Sequence, residues 1–210
     1  MEQWLIVSAG RGEFFDGVLP VGVGLVESTI TLSRFLTGRK VKGVIFVGTI
    51  GSYGSLQIGE EVISYSATQI EIGALEKKSY SPLQLEVENR KIEGELSPLI
   101  PILPRRVIKI NSSNYITTDW ELASLFRKGG VEGESMEFYA ILETLHRFNL
   151  PGFGYFVVTN YTNSSAHSSY LENLPMARKK IGKFVEELKR VIEVVEGREG
   201  ENLPANYSPD

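Results

Sequence analysis

The sequence contains no cysteine, and its only histidines are His146 and His167. Without cysteine there are no disulfide bonds, zinc–thiolate sites, iron–sulfur clusters or thiol nucleophiles. Neither histidine has neighbours at the spacing that is typical of metal ligands. The sequence therefore predicts no metal site.

Clustered positive charge and long apolar runs are also missing. The 22 basic and 26 acidic residues give a net charge of −4, and the short basic stretches at 39–42 and 178–180 fit a solvated surface. Binding of nucleic acid needs clustered Lys and Arg. No segment approaches the roughly 20 apolar residues of a membrane-spanning helix, and the first residues carry no basic region. We expect a soluble, cytoplasmic protein that binds neither nucleic acid nor membranes.

The sequence does contain an alternation of apolar strands and amphipathic helices. Strand character is concentrated in residues 4–9, 18–23, 41–48, 60–72, 108–115 and 155–159. Helical spacing covers residues 25–36, 119–128, 137–148 and 175–195, while the proline-containing residues 77–106 predict a peripheral excursion. This order is typical of a single α/β domain with a central mixed or mainly parallel sheet flanked by helices. We assign the domain to residues 1–196 and predict a mobile tail over residues 197–210.

Three segments that follow strands are candidates for ligand binding, because open α/β sheets bind ligands where strand ends lead into loops. They are residues 9–13, 48–54 and 159–167. Residues 49–54 contain too much glycine for regular structure, which predicts a loop. The backbone N–H groups of this loop could bind an anion or a ribose hydroxyl. The same glycines also fit a plain tight turn. Residues 22–27 (GVGLVE) lack the third glycine of the dinucleotide fingerprint, so no dinucleotide cofactor is expected.

Two further segments carry polar groups next to regular structure, and each has an ordinary structural explanation. Residues 134–137 (ESME) precede an apolar helix, where acidic residues interact favourably with the helix dipole. Residues 157–163 (VVTNYTN) run from a strand into amides and hydroxyls, and Asn is common in turns for backbone reasons. Taken one at a time, neither segment distinguishes a functional site from these structural roles.

The order and spacing of these segments, however, resemble the nucleoside phosphorylase and nucleosidase superfamily over roughly residues 3–193. GTIGS at 48–52 resembles its glycine loop after a central strand, and SME at 135–137 resembles its ribose-binding Met-Glu pair. VTN at 158–160 and SSNYI at 112–116 resemble its strand-end and base-site segments. The chain looks most like a small bacterial branch of purine nucleoside phosphorylases, and is also similar to methylthioadenosine/S-adenosylhomocysteine nucleosidases. The resemblance implies a phosphorylase/hydrolase-like fold and cleavage of the N-glycosidic bond of a purine nucleoside.

The resemblance also implies roles for individual residues. Glu137 would accept hydrogen bonds from the ribose hydroxyls, and Met136 would line the sugar. Asn160 would contact N7 of the purine, with Thr159 beside it. The base site would also include Tyr115 and Ile116.

Asn160 departs from the adenine-specific members, which carry at this position an Asp that protonates N7. An amide donates and accepts hydrogen bonds, but it cannot transfer a proton. It suits a 6-oxopurine, whose O6 and N7 can share contacts with it. We therefore expect inosine, guanosine or a related hypoxanthine nucleoside as the substrate.

The nucleophile is open to two interpretations. Phosphorylases carry a phosphate-binding arginine two residues before the glycine-loop Gly, where this chain has Phe46. Arg11 could replace it, in a phosphate or water site with Gly10 and Thr49. Glu13 lies where hydrolytic members carry the glutamate that positions the attacking water. The overall resemblance favours phosphorolysis with inorganic phosphate as co-substrate, which is our primary prediction. Glu13 favours hydrolysis, including hydrolysis of futalosine or methylthioadenosine.

The resemblance also implies a homo-oligomer, in which a neighbouring subunit can complete the site, and no cofactor. His167 lies in the predicted loop 159–167 and is a candidate site residue, although a surface histidine fits the pattern as well. His146 lies within a predicted helix and is assigned a structural role. The missing Asp and the missing arginine leave a third interpretation open, a protein that binds a nucleoside without cleaving it.

Overall fold

The computed structural model describes residues 3–89, 99–195 and 197. Among these residues, eight strands form one sheet. The strands are β1 (Gln3–Ser8), β2 (Leu19–Pro20), β3 (Val41–Ser52), β4 (Glu61–Thr68), β5 (Glu86–Glu88), β6 (Val107–Ser112), β7 (Gly133–Ser135) and β8 (Gly152–Tyr161). The helices are α1 (Leu25–Leu36), α2 (Ile72–Leu75), α3 (Trp120–Lys128), α4 (Phe138–Phe148) and α5 (Ala166–Val195), and a 3-10 turn covers Ile100–Ile102.

The sheet is mixed, and β8 joins its two halves. The strand order is β2-β1-β3-β7-β6-β4-β5, with β8 paired to both β3 and β4. β8 runs parallel to β3 and antiparallel to β4. Because β1 is also parallel to β3, the carboxyl ends of β1, β3 and β8 lie at the same edge of the sheet. Polar residues at the ends of these strands are thereby brought together.

Helices cover both faces of the sheet, as the continuous apolar run of β3 predicts. Successive side chains of a strand point to opposite faces. Phe46 belongs to the core shared with α1 and α4, whereas Ile45 belongs to the core shared with α5. On the α5 face, Tyr155 stacks on Phe184 with ring centroids 3.8 Å apart. The predicted single α/β domain with a mixed sheet flanked by helices is confirmed.

Three helices agree with the sequence prediction to within a residue or so. α1 has the predicted bounds. α3 begins after Asp119, whose carboxylate accepts hydrogen bonds from the backbone N–H groups of Glu121 and Leu122 at 2.8 and 2.9 Å, the usual capping arrangement. α4 runs from Phe138 to Phe148 and is followed by Asn149, which adopts a left-handed conformation with φ 59°.

β3 continues through residues 48–52, where the sequence predicted an irregular loop, so that prediction is wrong. Gly51 pairs with Glu134 of β7 on one side and with Asn160 of β8 on the other. A Cβ atom at Gly51 would lie 3.0 Å from Asn160 Nδ2 and 3.2 Å from Glu134 Cγ. The glycine therefore gives room to its neighbours within a strand instead of forming a turn.

The predicted loop at 159–167 is also mostly regular structure. β8 extends through Tyr161, and α5 begins at Ala166, well before the predicted start at Pro175. Pro175 instead lies inside the helix. Nearby, Asn173 Nδ2 donates a hydrogen bond to the carbonyl of Thr159 at 3.0 Å, which ties this part of α5 to the end of β8. Packing of the long helix therefore outweighs the local preference of proline for a helix start.

Among the remaining predicted strands, β1 has the expected length, and β2, β4 and β6 are shorter than expected. β2 covers only two residues, because Gly22 and Gly24 take left-handed conformations with φ 94° and 85° and redirect the chain. β4 ends at Thr68 and β6 at Ser112, before the predicted ends. The predicted excursion 77–106 contains β5 and the 3-10 turn, and its residues 90–98 lie outside the described residues. The predicted tail lies outside them as well, apart from residue 197.

Candidate active site

A cavity of about 220 Å³ opens at the edge of the sheet near the ends of β1, β3 and β8. Its walls come from the turn after β1, from β3, from β7 and the residues after it, from the segment after β6, from the end of β8, and from the start of α5. Every residue that was assigned to the site from the sequence lines this cavity: Gly10, Arg11, Glu13, Thr49, Tyr115, Ile116, Met136, Glu137, Thr159, Asn160 and His167. The fold thus brings together segments that are distant in the chain.

Glu13 is buried at the end of the turn that follows β1. Its Oε1 atom accepts hydrogen bonds from the backbone N–H of Thr49 at 3.1 Å and from the Thr49 hydroxyl at 2.5 Å. Burial raises the pKa of Glu13 to about 7, helped by the negative charge of Glu137 and opposed by the bonds from Thr49. A carboxyl group with a pKa near 7 can accept a proton at neutral pH.

Glu137 lies between β7 and α4, and its carboxylate is buried. Oε1 accepts a hydrogen bond from the backbone N–H of Gly24 at 3.0 Å, and Oε2 accepts one from the hydroxyl of Ser135 at 3.1 Å. Burial raises the pKa of Glu137, and these hydrogen bonds partly offset the effect. The carboxylate is therefore held inside the cavity, whereas an acidic residue that only stabilised the helix dipole would point into solvent.

Asn160 lies near the end of β8 and is oriented by its neighbours. Its Oδ1 accepts a hydrogen bond from the hydroxyl of Thr159 at 2.9 Å, and its Nδ2 donates one to the carbonyl of Tyr161 at 3.2 Å. The Thr159 hydroxyl is itself buried and lies 3.3 Å from the carbonyl of Ile50. The amide is thus fixed in a cavity wall, as a residue that recognises a ligand must be.

The rim of the cavity carries more exposed side chains. Tyr115 is 74% exposed, and the side chain of Arg11 is 73% exposed and lies 3.6 Å from a carboxylate oxygen of Glu27. His167 lies in the first turn of α5 and not in a loop, and its ring centroid is 6.4 Å from that of Tyr170. Arg11 is therefore placed at the mouth of the cavity, where solvent weakens its interaction with an anion.

Glu134 of β7 also lines the cavity, and no role was predicted for it from the sequence. Burial raises its pKa to about 7, so the cavity holds three carboxyl groups whose pKa is raised. The signal that could have found it was its place in the acidic segment 134–137. That segment predicted a helix start, and a strand of three residues is too short to show alternation.

Two general findings apply to the described residues 3–89, 99–195 and 197. No group of three or more His, Cys, Asp or Glu side chains there is placed to hold a metal ion. No helix in the same part of the chain is long and apolar enough to cross a membrane.

Nucleosidases are among the solved structures with the same fold. A 5′-methylthioadenosine/S-adenosylhomocysteine nucleosidase of Helicobacter pylori, with 5′-methylthioadenosine in its active site, matches at a TM-score of 0.75 and 17% identity. A futalosine hydrolase mutant of the same organism matches at 0.75 and 16%, and the Neisseria meningitidis nucleosidase in complex with methylthio-immucillin-A at 0.72 and 19%. Each match covers 90% of this chain and 99% of the other. The chain has the fold of these nucleosidases.

The similarity is one of structure. No protein-family model matches the sequence, and a search of curated proteins finds no match. At these identities the comparison shows the fold, in agreement with the phosphorylase/hydrolase-like fold expected from the sequence.

Proposed function

We propose that this protein hydrolyses the N-glycosidic bond of a purine nucleoside. The observation that carries the proposal is the position of Glu13, a buried carboxyl fixed by Thr49 in the same cavity as Glu137 and Asn160. A water molecule bound by Glu13 would meet a sugar held by Glu137. The fold shared with nucleosidases supports the same reaction.

Each carboxyl group then has a distinct task. Glu13 accepts a proton from water as the water attacks C1′ of the ribose. Glu137 accepts hydrogen bonds from the ribose hydroxyls and stabilises the positive charge that develops on the sugar. Met136 lies beside Glu137 in the cavity wall and packs against the ribose.

Asn160 favours a 6-oxopurine base. Its amide can donate a hydrogen bond to O6 or N7, with Thr159 fixing its orientation. Inosine, guanosine and futalosine, which carries hypoxanthine, are therefore preferred over adenine nucleosides. The solved relatives named for futalosine and for methylthioadenosine support a nucleoside that carries a substituent at the 5′ position.

Phosphorolysis, the primary prediction from the sequence, remains the second candidate. Arg11 supports it, because a guanidinium group at the cavity mouth can bind phosphate. Its exposure and its nearby Glu27 weaken that support, and Phe46 is buried in the core. Hydrolysis is accordingly favoured over phosphorolysis.

The deciding experiment incubates the protein with inosine, guanosine, futalosine and methylthioadenosine, with and without inorganic phosphate, and separates the products by chromatography. Hydrolysis predicts free base and free sugar at the same rate in both buffers. Base release that requires phosphate and yields the sugar 1-phosphate would contradict hydrolysis. Binding of a nucleoside in calorimetry without any product would instead identify a binding protein.

Glu13→Gln tests the residue on which hydrolysis depends. Because glutamine cannot accept the proton of the water, we expect turnover to fall by about 10²- to 10⁴-fold while nucleoside binding persists. Glu121→Gln makes the same chemical change on the exposed side of α3 and should leave turnover unchanged. Wild-type turnover in Glu13→Gln would rule out this role for Glu13.

A further inference from the structure

Glu134 and Asn160 stand on either side of Gly51 in one row across three strands. Gly51 pairs with Glu134 in the antiparallel ladder of β3 with β7 and with Asn160 in the parallel ladder of β3 with β8. Both side chains point to the face on which Gly51 has no side chain, since Glu134 Cγ and Asn160 Nδ2 lie 3.2 and 3.0 Å from the position of a Cβ there. Both residues line the cavity. The Glu134 carboxyl group therefore lies next to the Asn160 amide, which is expected to contact the purine.

The Glu134 carboxyl is held by neutral groups. The backbone N–H of Thr117 donates to its two oxygens at 3.1 and 3.3 Å, and the Tyr53 hydroxyl lies 3.1 Å from Oε2. Within the part of the chain that the structure describes, no Lys or Arg lies within ion-pair distance of it. A carboxyl group without a cation is suited to carry a proton.

Departure of a purine requires that proton. As the C1′–N9 bond breaks, its electron pair moves onto the base, and a neutral base leaves far more readily than an anion. Asn160 cannot supply a proton. We propose that Glu134, in its neutral form, donates a proton to a ring nitrogen of the leaving purine while Asn160 orients the base. This inference rests on the proposed hydrolysis and adds the acid that the reaction needs.

The reaction then balances. The O–H bond of Glu134 breaks and a new N–H bond forms on the base, which leaves as the neutral purine. Water adds its oxygen to C1′ and gives its proton to Glu13. One carboxyl has lost a proton and another has gained one, and exchange with solvent after product release restores both.

Burial agrees with this role, because it raises the pKa of Glu134 to about 7 and keeps part of the group protonated at neutral pH. The titratable or charged groups around it are few. Tyr53 contacts it from the end of β3, and Arg127 of α3 reaches the Tyr53 carbonyl at 3.4 Å. The other titratable or charged residues that line the same cavity are Arg11, Glu13, Glu137, His167 and Tyr170.

The test compares wild type with Glu134→Gln on inosine and on 7-methylinosine, whose base is already cationic and leaves without a proton. We expect kcat/KM for inosine to fall at least about 100-fold in the variant, and that for 7-methylinosine to change only a few fold. In wild type, kcat/KM for inosine should pass through a maximum near pH 7, rising as Glu13 loses its proton and declining at higher pH as Glu134 loses its own. That decline should be absent in Glu134→Gln.

Glu132→Gln is the matched control, because it changes the same group two residues away, in a surface ion pair with Arg106. It should behave as wild type does. Glu134→Gln at the wild-type rate on inosine, or with an equal loss on both substrates and an unchanged pH profile, would overturn the proposal. The first result would show that the group is not needed, and the second that its role is structural. If wild type itself releases no base from any nucleoside, the proposed function fails. That outcome is distinct from both results for Glu134→Gln.

Discussion

At the scale of single residues, the candidate site combines one amide with three carboxyl groups whose pKa is raised by desolvation. Every site residue expected from the sequence lines the cavity, because the strand ends converge there and the first turn of α5, with His167, lies beside them. The sequence could predict this convergence, since parallel strands present their carboxyl ends at one edge. It could not predict Glu134, whose position depends on the pairing of a three-residue strand with β3.

Glu134 also has a consequence for stability that is independent of catalysis. Its pKa is about 7 in the folded protein, whereas a glutamate in an unfolded chain has its ordinary pKa of 4.5, so the folded state binds this proton more tightly. The corresponding stability is present below pH 4.5 and is lost as the pH rises through about 7.

We therefore expect Glu134→Gln to be more stable than wild type at pH 8, by about 1–3 kcal/mol in the free energy of unfolding. The variant should accordingly unfold at a higher temperature. At pH 5 the two proteins should unfold at similar temperatures. Thermal denaturation followed by circular dichroism at both pH values measures the difference. A variant that is less stable than wild type at pH 8 would show that the charged form is favoured by its hydrogen bonds.

At the scale of elements, the sequence predicted strands and helices well and the connections at the site poorly. β3 was predicted to end at Gly48, and α5 was predicted to start at Pro175. Both mistakes come from local preferences, which tertiary packing overrides. Gly51 is required by the side chains on the neighbouring strands, and those neighbours are known only once β7 and β8 are paired with β3.

Gly51→Ala tests whether that space serves the cavity. The new methyl group would press on both Glu134 and Asn160, so we expect kcat/KM for the nucleoside to fall by about 10- to 100-fold while the protein still folds. Gly182→Ala in α5 is the control, because its methyl group has room and alanine favours a helix. It should keep full activity. Full activity in Gly51→Ala as well would mean that the row of Glu134, Gly51 and Asn160 does not set the geometry of the site.

At the scale of the whole molecule, the alternation of strands and helices was enough to predict an α/β domain with a mixed sheet. The pairing of β8 with both β3 and β4 was not predictable, because it joins strands far apart in the chain.

The surface of the molecule also carries an exposed apolar groove. Next to the cavity, a shallow groove is lined by exposed apolar side chains of α1, including Val26 at 65% and Ile30 at 53% exposure.

We expect this surface to be covered in a homo-oligomer, because exposed apolar patches mark interfaces. Ile30→Glu should lower the molecular mass measured by light scattering relative to wild type. Val195→Glu is the control, because it changes an exposed valine at the C-terminal end of α5, outside the groove. It should leave the molecular mass unchanged. A wild-type protein that is monomeric at micromolar concentration would contradict the expectation.

The row of Glu134, Gly51 and Asn160 has a consequence for how such a site changes over generations. Because the Glu134 and Asn160 side chains face the same gap from the two strands that flank β3, an acid on one of these strands can stand in for an acid on the other with no change in the backbone. A comparison of single aligned positions would record Asn160 as the loss of an acid and would overlook Glu134. What fixes the place of such an acid is therefore the gap beside Gly51, which both flanking strands can reach.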